Sequence, residues 1–237
     1  VRIDIDRGAV RIAGPPDDAV KVSAQLRYPA DSDYDVAESP DEIRVHARAP
    51  KRALRSPEEL PIVVEVLVPS GTPVVVEAFD GLVELDSLDG RVEVDSASAD
   101  IRAADLHGTA LLRTGRGDTT VQTSSGDIRL IGEHGVLSVE NSSGNIAATT
   151  IMGTVRFTGR LGAADIVDLE TDHGPVEVYL ETGSSAAVHI TSTSGRIVCT
   201  VPGLSGSMEA CSGALGDAGG VLTIRTVSGA VALRPAP

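Results

Sequence analysis

Small acidic and amide residues set one step after a recurring glycine or alanine are the first candidates for chemistry. Asp100 and Asp118 lie 18 residues apart, as do Asp127 and Asn145. In calcium-binding repeat proteins, stacked turns bring such side chains together around the ion. Those repeats carry several glycines, whereas each unit here carries one. Solvated turn carboxylates near Arg102 and Arg129 are therefore expected, because like charges on neighbouring strands repel unless bridged. His107, His134 and His173 each precede a glycine, but no Cys or His has close zinc-ligand spacing. Exposed turn histidines are expected. Neither G-x-S-x-G nor H-E-x-x-H occurs, and the abundant serines belong to turns. Acidic pairs such as Asp127 with Glu133 are expected to be surface residues. Three Tyr, two Phe and no Trp offer few platforms for sugar rings. The sequence thus yields no catalytic, cofactor-binding or metal-ligating residue.

Three further features have a chemical and a plain reading. Arg116-Gly117-Asp118 spells the tripeptide known from integrin recognition, yet it falls on a turn of the repeat described below, which accounts for Gly117, and Asp118 is accounted for by its neighbours. Arg48, Lys51, Arg52 and Arg55 form the one basic cluster. They read as a solvated loop, with an acidic partner or phosphate group as the alternative. Cys199 and Cys211 are too few for a disulfide framework. An inward, packed Cys199 is the preferred expectation, and a single bridge between the two the alternative.

Composition narrows the function classes. The chain has 237 residues, a net charge of −14, 41% hydrophobic residues and 2% aromatics. It is long enough to bury a core, which must be built from Val, Ile, Leu and Ala. The acidic balance argues against nucleic acid and anionic lipid as partners. No apolar run is long enough for a membrane span. The sequence opens on the alternating VRIDID with no basic, apolar leader ahead of it.

These residues are positioned by a repeat. Glycine falls at 81, 90, 108, 117, 126, 135, 144, 153 and 162, nine residues apart, with Ala99 in one gap. VQTSSGDIRL (121–130) matches VENSSGNIAA (139–148) at an offset of 18, so two nine-residue units should make one coil. The second and fourth residues after each Gly or Ala99, from Val83 and Leu85 to Val155 and Phe157, are apolar at 17 of 18 positions. The intervening positions hold Glu84, Arg91, Glu93, Arg102, Asp127, Arg129 and Arg156, among others. A period of two locked to a glycine is a strand with one buried face. Glycine supplies a backbone with positive φ at each turn, and the Ser-Ser before Gly126 and Gly144 can bond turn backbone.

After Gly162 the motif returns in ETDHGPVEVYL, STSGRIVCTV and TVSGAVALR, and Gly174 to Gly195 implies one 21-residue coil. Residues 202–220 read as an inserted surface loop and 28–42 as a polar loop. Alternation at 1–5, 9–12, 20–26, 43–47 and 62–68 implies N-terminal strands that begin or cap the stack. SPEEL (56–60) reads as one helical turn. The organisation expected is one continuous domain: N-terminal strands over 1–80, regular repeats over 81–201, and a loop with final strands over 202–237.

The S-G-D-I and S-G-N-I turns, LETDHGPVEVYL, and TSTSGRIVCTV with Pro202 resemble the bacterial putative-adhesin family of unknown function, a family of β-strand-repeat proteins. The resemblance covers roughly residues 60–201. It implies a single-stranded β-helix and supplies no catalytic residues. The expected fold is all-β: a right-handed, single-stranded parallel β-helix, or β-solenoid, of about 18–21 residues per coil with an N-terminal β cap. The expected role is a non-catalytic surface binding, adhesin-like or scaffold module. The alternatives are a carbohydrate-active β-helix enzyme and a self-assembling structural element. A protein or a charged glycan is the partner expected, with the chain monomeric or weakly self-associating. The compartment expected is the cell envelope or the exterior, the cytoplasm being the alternative.

Overall fold

The computed structural model describes residues 1–14, 19–50 and 60–236, and every regular element among them is a β-strand. The strands are β1 (Arg2–Ala13), β2 (Lys21–Leu26), β3 (Asp33–Glu38), β4 (Ile43–Arg48), β5 (Ile62–Leu67), β6 (Val74–Arg116), β7 (Thr119–Gln122), β8 (Ser125–Glu140) and β9 (Ser143–Gly159). They continue as β10 (Ile166–Thr171), β11 (Val176–Leu180), β12 (Ala186–Ser192), β13 (Ile197–Cys199), β14 (Leu204–Gly206), β15 (Ala210–Leu215), β16 (Gly220–Thr226) and β17 (Val231–Pro235). All belong to one 17-stranded sheet. No helix of the described residues is long and apolar enough to cross a membrane.

Through the middle of the chain the pairing is parallel. Ile101 pairs with Thr119, Ala110 with Ile128, Thr119 with Leu137 and Ile128 with Ile146, each 18 residues on. The next step lengthens to 21, with Ile146 against Val167 and Val155 against Val176. Side chains alternate across each strand. All eighteen positions read as inward are buried, none more than 3% exposed, and the seventeen apolar ones share one cluster with the N- and C-terminal strands. The single polar one, Thr119, lies between Ile101 and Leu137 with its hydroxyl unpartnered.

The ends are arranged differently from the sequence reading. β1 pairs with the start of β6, 73 residues away, and on its other side with β4 and β5. β16 and β17 are inserted between β10–β11 and β12–β13. Gly174 and Gly195 therefore do not lie in neighbouring passes, and the single 21-residue coil expected between them is replaced by the interposed Gly229. Interleaving gives the strands nearest each chain end a partner on both sides. Unpaired edge backbone is left to short antiparallel strands, β2 and β3 at one end and, beyond β15, β14 at the other.

Two segments read as loops are thereby strands. Residues 28–42 contain β3, an exposed acidic edge strand whose Asp33, Asp35 and Glu38 oppose further strand addition. Residues 202–220 contain β14 and β15. The helical turn expected at 56–60 lies outside the described residues, apart from Leu60.

Glycine is needed for more than its φ. At Gly135 φ is +103°, and a Cβ would also strike the carbonyl oxygen of Gly117 in the adjacent pass. At Gly117 φ is not in the positive region, and the approach of the Ala99 carbonyl by itself excludes a side chain. The left-handed conformation instead recurs at Ser87, Asp105, Thr123 and Asn141, with φ from 49° to 55°. These four are 18 residues apart, at the opposite corner, and all are types whose short polar side chains bond local backbone readily.

Candidate functional site

The stacked acidic pairs are neighbours, and one oxygen of each of Asp100, Asp118 and Asp127 is engaged within the protein. The Asp118 amide donates to Asp100 Oδ1 at 3.0 Å, and the Val136 amide donates to Asp118 Oδ1 at 2.8 Å. Asn145 Nδ2 donates to Asp127 Oδ1 at 2.6 Å. Each carboxylate thus ties one pass of chain to the next. Among the described residues no three His, Cys, Asp or Glu side chains converge as a metal cluster.

The histidines are separate. His107 lies 2.7 Å from Ser125 Oγ and 3.0 Å from Asp105, and His173 lies 2.6 Å from Ser228 Oγ. His134 pairs in register with Arg116 and Met152. A fourth, His46, is held between Arg48 Nε at 3.0 Å and Asp4 Oδ2 at 3.2 Å. Arginine can only donate, so His46 Nε2 is the acceptor and Nδ1 carries its proton toward Asp4.

Arg116 and Asp118 are exposed and Gly117 is buried beneath Ala99. One oxygen of the Asp118 carboxylate accepts the Val136 amide of the adjacent pass. In the basic cluster only Arg48 is described; it lies 3.9 Å from Asp4. Cys199 and Cys211 form a disulfide joining β13 to β15. This corrects the reading of Cys199 as a packed free thiol. Cys199 does turn toward the core, but antiparallel β15 brings the more deeply buried Cys211 beside it.

Sequence reading missed a column of buried hydroxyls at one corner. Ser96, Thr114, Thr150, Thr171, Thr226 and Ser192 are all buried, each three residues before a turn Gly or Ala99. Ser96 Oγ accepts the Ala99 amide at 2.7 Å, and Ser192 Oγ accepts the Gly195 amide at 2.7 Å. The signal is a recurring Ser/Thr-x-x-Gly. At the other corner the predicted turn serines act between passes. Ser124 Oγ accepts the Leu106 amide at 3.0 Å and Ser142 Oγ the Ser124 amide at 3.1 Å.

A groove of about 840 Å³ crosses β2, β5, β1, β6 and β7. Its polar row follows from register. Arg11 stands opposite Glu65 on one side and Glu84 on the other, and Arg102 stands opposite Thr120. Adjacent strands lie about 4.8 Å apart, so outward side chains on one row reach one another. Arg11 Nε donates to Glu84 at 2.7 Å and its Nη1 to Glu65 at 3.4 Å, while Arg102 approaches Glu84 at 3.8 Å. Hydrogen bonding and attraction to Glu84, then to Glu65, push the Arg11 pKa above its ordinary value. All four side chains are at least one-third exposed, so the row adds little to stability. It offers instead a line of alternating charge. Asp86, Ser23 and Gln122 add hydrogen-bonding groups, and Ala13 and Ala104 keep the bed open. Further along, Arg156 gives both Nε and Nη2 to Glu177 Oε2, at 3.0 and 2.8 Å.

No family model matches the chain, and no curated protein matches it. Among solved structures it is weakly similar to a putative cell adhesion protein from Clostridium sporogenes. The identity is 12%, the coverage 99% of this chain and 92% of that chain, and the TM-score 0.34. At that overlap the likeness carries no argument about function.

Proposed function

We propose that the chain is a parallel β-solenoid of two-strand coils that works as a non-catalytic surface-binding module. It holds an extended, charged partner, a protein segment or a charged glycan, along the Arg11–Arg102 groove. The observation that carries this reading is the groove itself. It runs across the strands, so its charged side chains repeat at the strand spacing, as an extended polymer requires. Its ion pairs are solvent-exposed and easily exchanged for pairs with a ligand. A structural disulfide favours an oxidising compartment, which supports an envelope or extracellular setting.

The test uses hexasaccharides of heparin, hyaluronan and polygalacturonate together with an array of charged peptides, titrated against the whole protein at two salt concentrations. Salt-sensitive binding to at least one probe is expected. The double variant Arg11→Glu with Arg102→Glu should weaken it at least tenfold. Binding indifferent to the double variant, or no binding to any probe, rejects the groove. Release of new reducing ends from the same hexasaccharides would favour the carbohydrate-active alternative.

A further inference from the structure

One of the two phenylalanines is left in water. Phe157 is fully buried, whereas Phe79 is 63% exposed. Phe79 stands in β6 at a corner, between depressions of about 540 and 580 Å³. Its backbone is pinned. Ser98 Oγ donates to the Phe79 carbonyl at 3.0 Å, and the adjacent Asp80 pairs with Arg7 at 3.1 Å. The bed of the larger depression is made of Ala97, Gly115 and Gly132, all too small to cover the ring. Gly115 is fixed as glycine because the Ala97 carbonyl occupies the space of a side chain. Across that bed lie Arg116 and Glu133, both exposed and neither ion-paired among the described residues.

An aromatic face beside an open bed and two unengaged planar polar groups matches the chemistry of a sugar. A hexose presents an apolar face of C–H groups, which stacks on a ring, and a rim of hydroxyls. Guanidinium supplies paired donors and carboxylate paired acceptors for adjacent hydroxyls. Arg116 and Glu133 carry opposite charges, so the depression favours a neutral sugar over a polyanion. Two strand spacings, about 10 Å, separate the passes of Phe79 and Arg116, enough for two rings of an extended chain.

We propose that this corner is a subsite for a neutral, hexose-based glycan. Phe79 stacks on one ring, while Arg116 and Glu133 bond the hydroxyls of the next. The subsite shares no residue with the Arg11–Arg102 groove and does not depend on it.

The test is calorimetric titration of the whole protein with cellotetraose, xylotetraose, mannotetraose and chitotetraose. At least one should bind with little salt dependence. Phe79→Ala should weaken it at least tenfold and Phe79→Trp retain it, with melting temperatures unchanged. Arg116→Gln should weaken it less than Phe79→Ala does. Arg11→Glu with Arg102→Glu should leave it unaltered, which separates this subsite from the groove. The proposal is overturned if none of the four binds at millimolar concentration, or if Phe79→Ala binds as well as the wild type. It is also overturned if Phe79→Ala abolishes only a self-association seen by sedimentation, since Phe79 would then belong to a protein interface.

Discussion

Leu130→Ala tests the assignment of inward and outward rows. Leu130 is 0% exposed and paired in register with Leu112 and Ala148. Truncation removes buried carbon and leaves a cavity. Burial-site Leu→Ala changes cost about 2–5 kcal/mol, more where the surroundings relax little. Ala148 has no side chain long enough to fill the space, so a loss of about 3–4 kcal/mol is expected. For a domain of this size that lowers the melting temperature by roughly 6–16 °C. The control is the adjacent residue. Arg129 is exposed, so Arg129→Ala should stay within about 0.5 kcal/mol of wild type. Guanidinium melts of the three proteins, compared at equal slope, provide the measurement. Equal midpoints for Leu130→Ala and Arg129→Ala would refute the inward and outward assignment.

Gly135→Ala should cost about 2–3 kcal/mol, because an unusual φ and a blocking carbonyl act together. Gly71→Ala should cost about 1 kcal/mol, since Gly71 has φ +75° with nothing near its missing Cβ. Equal losses in chemical melts would remove the argument from close approach. Reducing the Cys199–Cys211 disulfide releases a short loop, worth about 3 kcal/mol. Hydrogen exchange should quicken over 204–215 and stay unchanged over 110–157; uniform quickening would contradict a local clamp. Burial raises the Tyr34 pKa above its ordinary 10.0, so folding favours the neutral phenol. That contribution is present below pH 10.0 and is lost as pH rises through the folded-state value. Denaturant midpoints of Tyr34→Phe should therefore fall less than those of wild type on going to high pH, and identical falls would count against it.

The central strands were legible because two signals agree there. Alternation says which side chains point inward, and the 18-residue match of VQTSSGDIRL with VENSSGNIAA says which strands are neighbours. At the ends the second signal is missing. The alternation of β1 marks Ile3, Ile5, Val10 and Ile12 as inward, yet nothing in it names β6 as the partner. Register between distant strands is set by packing. β3 was illegible for another reason. With almost no buried face, DYDVAE has no apolar alternation and reads as a loop. The bridge at Cys199 and Cys211 follows from the antiparallel return of β15, which spacing does not predict. Each charge of the groove was readable as outward, but its concavity is a property of the whole sheet. Phe79 occupies an outward place that composition could not mark as special.

The stacking itself is tested most directly by distances between spin labels on one outward row. Thr109, Asp127, Asn145, Ile166, Val221 and Ala187 follow one another across parallel strands. With one label at Thr109, electron–electron resonance should place a second at Ile166, Val221 and Ala187 at about 14, 19 and 24 Å in turn. Val221 should be nearer than Ala187 although it comes later in the chain. A shorter distance to Ala187 than to Val221, or steps unrelated to the strand spacing, would contradict the account.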